Sequence, residues 1–240
     1  TLDGVKVIGR VIVRGGGENS IILNNTTIGT LIVVKIGGKV RILAAGSTEV
    51  QNVNMLSGGK LQEQGLTNGK GFGKVEVLTV APGETLTLDG DFDSLTVNTP
   101  VPGLVVDGRI EQLTIDEAAA GTKLEVKAEG SIGKLTLEGQ TTVTGTGTIY
   151  TALVKADGVT MTQVPKSIVL TGDTTVVAGG TTYTNTTPPS GTTTGGNNNN
   201  NTPSTVSKAF VVSSGSRERT LTISALPTAS YDVIAKQLFG

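Results

Sequence analysis

The densest run of possible ligands in the chain is Asp89-Gly90-Asp91-Phe92-Asp93. Alternating carboxylates can gather oxygen donors around Ca²⁺, and this spacing is that of the first half of an EF-hand loop. Such a loop needs Glu at its twelfth position, where this chain has Pro100. The run reads as a polar turn between Leu88 and Leu95, and whether Asp89, Asp91 and Asp93 bind calcium stays open at this point. A wider set comprises Asp91, Asp93, Asp107, Arg109, Glu111 and Asp116. Carboxylates and a guanidinium on one face could act as the acid and base of a polysaccharide hydrolase, or as the base of a lyase. No aromatic side chain stands beside them for sugar stacking except Phe92, which falls on an inward position of the repeat described below. These residues therefore read as solvated surface charges. No catalytic, cofactor-binding or metal-binding residue is assigned, no cofactor is expected, and the chain is expected not to be an enzyme.

The absences narrow the chemistry further. The 240 residues include no His, no Cys and no Trp. Without His there is no imidazole base and no Ser-His-Asp triad. Without Cys or His there is no ordinary zinc, haem or iron–sulfur site. A formal net charge of −1 gives no basic face for nucleic acid. No apolar run reaches the ~18 residues of a membrane span, and the opening TLDGVKVIGR is not a signal peptide. That opening reads as the interior of something larger. Gly145-Thr146-Gly147 and Gly71-Phe72-Gly73 are turns rather than phosphate loops, since neither opens a helix.

What would position these residues is a repeat. Ile8-Gly-Arg-Val-Ile-Val13, Ile28-Gly-Thr-Leu-Ile-Val33, Phe72-Gly-Lys-Val-Glu-Val77 and Ile132-Gly-Lys-Leu-Thr-Leu137 share one pattern: apolar, Gly, any, apolar, any, apolar. The segments beginning at Val50, Phe92, Ile110 and Ile149 keep the apolar spacing without the Gly. Starts at 8, 28, 50, 72, 92, 110, 132 and 149 are 17 to 22 residues apart. A shorter apolar pair precedes most of them, as in Leu86-Thr-Leu88, Leu104-Val-Val106 and Leu124-Glu-Val126. Both parts alternate with period 2, and Gly or Pro-Gly turns separate them. Stacking such two-strand coils closes a core that no single coil can bury. The expected fold is all-β, a right-handed parallel β-helix of about eight coils of ~20 residues. An antiparallel sandwich is the rival, but it would not repeat one six-residue phrase at a steady phase. Val11, Leu31, Val53, Val75, Leu95, Leu113, Leu135 and Ala152 should form one inward column, with positions 8, 28 and their equivalents forming another. The repeated Gly at 9, 29, 73 and 133 should mark a corner needing positive φ or close approach. Outward, Thr96, Thr114 and Thr136 should form a ladder. Ile12 and Ile32, with Val34 nearby, should form an exposed apolar strip of the kind that marks an interface.

The pattern decays between Val164 and Thr182. The expected organisation is a solenoid over 1–182, a Thr/Gly/Asn/Pro-rich linker over 183–206, and a small β/α piece over 207–240. In that piece Ala209–Val212 and Thr220–Ile223 read as strands, and Thr228 or Ser230 as the cap of a short helix. The piece either docks on a β-helix or begins a further module.

The phrases IGRVIVRGGGENSIILNNTTIG, RILAAGSTEVQNVNMLSGGKLQEQGLTNGKGFGKVEV and TLTLDGDFDSLTV resemble the β-repeat regions of Gram-positive bacterial cell-surface and S-layer-like proteins, the type that commonly carries SLH modules. The resemblance covers residues 1 to about 180 and supplies no catalytic residues. It implies an extracellular, cell-surface-associated structural role: spacing or displaying modules and contributing to assembly at the cell wall. The implied partners are cell-envelope components or copies of the chain itself. The alternative is a polysaccharide-binding module, with a carbohydrate-active lyase or hydrolase third.

Overall fold

The computed structural model describes residues 1–19, 21–35, 40–67, 71–185, 208–214 and 217–223. The chain divides into two compact units, Thr1–Pro188 and Pro189–Gly240.

The first unit is a parallel β-solenoid. Each coil lays one strand on an eleven-stranded sheet and the next on a nine-stranded sheet, so sequential strands alternate between the two. Leu86–Asp89 belongs to the first sheet, for example, and Asp91–Val97 to the second. The expected inward column holds throughout. Val11 pairs with Leu31, Leu31 with Val53, and Val53 with Val75. Val75 then pairs with Leu95, Leu95 with Leu113, Leu113 with Leu135, and Leu135 with Ala152. From Leu31 to Ala152 every member is buried. The short apolar pairs face them from the other sheet, with Leu86, Leu88, Leu104, Val106, Leu124 and Val126 all buried. A ninth row of the nine-stranded sheet, Ser167–Leu170, stacks on Thr148–Val154 although it lacks the repeated phrase. The eleven-stranded sheet ends on an antiparallel pair, Thr175–Ala178 with Thr181–Thr184.

Two expectations need correction. Ile8 does not stack above Ile28. Val7 pairs with Ile28, the register shifts between Val7 and Arg10, and Ile8 is 87% exposed. The first coil carries one residue more than its neighbour at this point, a bulge that turns Ile8 out. Of the two reasons expected for the repeated glycines, close approach holds, but positive φ at a corner does not. Gly29, Gly73 and Gly133 lie inside strands without positive φ. What excludes a side chain there is the coil before: a Cβ would stand 2.8 Å from the Gln51 carbonyl oxygen at Gly73, and 2.7 Å from that of Glu111 at Gly133. At Gly29 it would meet the Ile8 carbonyl, while at Gly9, in the first coil, it would meet nothing. The corners are turned instead by Gly90, Gly108, Gly130 and Gly147. In the first coils buried Thr26 and Thr48 take this place, their hydroxyls donating to the Asn24 and Leu23 carbonyls at 2.8 and 3.0 Å.

A 3₁₀ turn, Glu117–Ala119, was not expected from the period-2 pattern. Asp116 caps it, accepting from the Ala118 N–H at 3.0 Å. In the second unit Lys208–Ser214 pairs antiparallel with Arg217–Ile223, placing Phe210 opposite Leu221. Of the linker expected over 183–206, Tyr183 and Thr184 belong instead to the Thr181–Thr184 strand, and the part from residue 186, like the helix expected after Thr228 or Ser230, lies outside the described residues. No helix among the described residues is long and apolar enough to cross a membrane.

Candidate functional site

The carboxylates singled out in the sequence gather in part. A cleft of about 530 Å³ opens at the corner between the sheets, lined among others by Glu63, Asp91, Asp107, Arg109 and Glu129. The corner glycines make it. Gly90 separates a strand of one sheet from a strand of the other, with φ 151°. A Cβ on Gly108 would run into the backbone of Gly90, so the two coils touch here main chain to main chain. The Arg109 N–H donates to the Gly90 carbonyl at 2.8 Å. Asp91 and Arg109, the next residues on each coil, therefore stand side by side in register.

Glu63 is the member that sequence reasoning missed. It is half-buried, and its carboxylate accepts from the Phe72 N–H at 2.7 Å and from the Asp91 N–H at 2.7 Å. It thus joins its own coil to the next. Burial pushes its pKa above the ordinary glutamate value; N–H donation from Asp91 and Phe72 works against this, and the Asp91 charge adds to it. A signal was present in the sequence. Leu61 aligns with Leu88 and Gln62 with Asp89, so Glu63 occupies the corner place that Gly90 holds in the following coil. The residues after Glu63 lengthen this coil, and Gln64, Gly65 and Leu66 form one wall of the cleft.

Asp89 also lines the cleft, on the side of the eleven-stranded sheet, where it pairs with Lys60 at 2.6 Å and accepts from Gln62 Nε2 at 2.9 Å. The remaining candidates are dispersed. Asp93 and Glu111 are exposed further along the nine-stranded sheet, where Arg109 approaches Glu111 at 3.6 Å. Asp116 is taken up by its capping role. Phe92 is buried, as expected, and its ring stacks on Phe72 with centroids 6.0 Å apart. Among the described residues no three carboxylates converge on a point that could hold a metal ion. The cleft can offer hydrogen bonds and charge to a polar ligand. Exposed Tyr150, covered by the Lys166 ammonium at 4.2 Å from the ring centroid, lies on a different part of the unit.

The fold and this corner define a class: a two-sheeted parallel β-solenoid with a carboxylate-lined cleft on one edge. Among solved structures, the chitinase ChiW from Paenibacillus sp. str. FPU-7 is similar over 80% of this chain, at 27% identity and a TM-score of 0.60. That protein is a bacterial cell-surface-expressed multi-modular enzyme machinery, and the match covers 16% of its chain. No protein-family model matches the chain, and no curated protein matches it.

Proposed function

We propose that this chain is a structural module of a bacterial cell-surface protein, a stiff solenoid that spaces or displays other modules and carries out no chemistry itself. The observation that carries this reading is the continuous parallel stacking of the nine-stranded sheet from Lys6–Val13 to Ser167–Leu170, interrupted in register only by the bulge at Ile8 and closed over one apolar core. Each coil is fixed by two neighbours through a full ladder of backbone hydrogen bonds, an arrangement that resists bending and transmits length. The likeness to a segment of a cell-surface-expressed multi-modular protein supports the location. The resemblance of the repeat phrases to Gram-positive S-layer-like surface proteins fits the same reading, of a module outside the cell and against the wall.

The chain has no Cys, so paired dyes can be attached at introduced cysteines such as K6C and K155C. Single-molecule energy transfer between them should give one narrow distance distribution. A broad distribution would remove the spacer reading. Antibody labelling of intact source cells should stain the surface, and staining only after lysis would remove the location.

A second reading, a polysaccharide-binding module, is favoured by the corner cleft, whose Glu63, Asp107, Arg109 and Glu129 suit sugar hydroxyls. Pull-down on insoluble chitin and β-glucan, with an R109A/E129A variant as control, separates the two. The carbohydrate-active lyase or hydrolase reading would need release of soluble sugar by the wild-type chain, lost in D91N.

A further inference from the structure

One outward column of the nine-stranded sheet is apolar at both ends and polar between them. Number the sheet's strands as rows one to nine, from Lys6–Val13 to Ser167–Leu170. This column begins Ile12, Ile32, Asn54, Glu76 and reaches Thr96 in row five. It continues Thr114, Thr136, Leu153, Val169. Folded about row five, Ile12 meets Val169 and Ile32 meets Leu153, while Asn54 meets Thr136 and Glu76 meets Thr114. The apolar residues are thus confined to both ends, and Ile12 and Val169 are 50% and 46% exposed. A second outward column places Thr30 against Thr151, Asn52 against Lys134 and Lys74 against Gln112, with Ser94 on the fold line.

The column before it is complementary in size. Tyr150, 49% exposed, falls opposite Gly29, Glu111 opposite Gly73, Gln51 opposite Gly133, and Lys166 opposite Gly9. Each pair sets a large side chain against a glycine. The same fold brings Lys74 beside Glu111 of the other copy, an attractive contact, and Asp93 against itself, a repulsive one.

A two-fold contact sets one patch against itself, so its pattern must be mirror-ordered about the axis. We propose that this face is the seam of a homodimer, two copies of the chain packed sheet on sheet, with the two-fold axis parallel to the strands and passing over Asp91–Val97. The size agrees. Nine strands at ~4.8 Å and seven residues at ~3.3 Å give a face of roughly 38 by 23 Å. That is on the order of 800 Å² per partner, the area of a standard stable interface. Turning one copy the other way, row upon row, would instead set Ile12 against Arg10 and leave the apolar ends facing polar columns.

The test is sedimentation equilibrium of the full 240-residue chain from about 1 to 100 μM, a range that reads micromolar dissociation constants. A dimer is expected. T96R puts two guanidinium groups on the axis and should raise the dissociation constant at least tenfold, with the melting temperature of the monomer as a folding control. K123E, on the other sheet, should leave it unchanged. I12K and V169E should each weaken association, and I12K/V169E together should restore it, because only the mirrored packing sets these positions against each other across the seam. A monomer at 100 μM, equal effects of T96R and K123E, or failure of the double variant to recover would each overturn the proposal.

Discussion

Replacing Leu95 by Asp probes the inward column at its middle row. Leu95 is 1% exposed and stacks between Val75 and Leu113. Loss of the leucine side chain alone, as in L95A, should cost about 3–5 kcal/mol of stability. L95D adds an ionisable group where no water reaches. An unfolded aspartate titrates near 3.9, and burial raises the folded value. The sign follows from linkage. Below about pH 3.9 both states are protonated and only the packing loss remains; each pH unit above it adds about 1.4 kcal/mol against the folded state, until the raised native pKa is passed. By pH 7 the extra penalty reaches about 4 kcal/mol, for a total of about 7–9 kcal/mol. That is comparable with the whole stability of a typical domain. Thr114→Asp, half-buried on the outward ladder, should stay within about 1 kcal/mol in the monomer. Urea melts of the four proteins at pH 7.5 and pH 4, followed by circular dichroism, read these differences directly. L95D should be unfolded or barely folded at the higher pH and should approach L95A at the lower. Equal losses in L95D and T114D, or a gap between L95D and L95A that ignores pH, would refute the closed core at this position.

Gly133→Val should lower stability by roughly 2 kcal/mol or more, because its Cβ would press on the Glu111 carbonyl oxygen. Gly9→Val, with open space around it, should change little, and matched thermal melts compare the two. Glu63→Ala leaves the Phe72 and Asp91 N–H groups without their acceptor and should cost about 1–3 kcal/mol. Since the pKa of Glu63 is raised from the ordinary 4.5, its protonation favours the folded state. The stability advantage of wild type over E63Q, measured by urea titration, should therefore shrink as pH rises above 4.5. Thr48→Val removes the hydroxyl that donates to the Leu23 carbonyl and accepts from the Thr26 N–H. It should cost about 1–3 kcal/mol, and hydrogen exchange should quicken at the Thr26 amide.

The amino-acid pattern alone settled the strands of the repeat, their phase and the inward column from Val11 to Ala152. Parallel stacking with period 2 forces every coil to repeat the same apolar spacing, so the pattern is written once per coil and can be read by alignment alone. It also determined that Asp91 stands beside Arg109, because neighbours in a parallel solenoid are residues at equal phase. What it could not determine lies where coils depart from that phase. The extra residue at Ile8 is invisible to the repeat, since the six-residue phrase is intact there and only pairing with the next coil reveals the bulge. Why Gly29, Gly73 and Gly133 are glycines was decided by carbonyl oxygens one coil away, a distance of about 20 residues along the chain. The same holds for the candidate site. Asp116 shares a charge type with Asp91, but a capped turn draws it elsewhere, while Asp89 stays at the cleft with its charge paired to Lys60. Glu63 entered the site because a lengthened coil put a carboxylate at a corner where the following coil has glycine. Its partners, the N–H groups of Phe72 and Asp91, are backbone, and backbone groups carry no signature in sequence. Only the folded corner brings them within hydrogen-bonding distance.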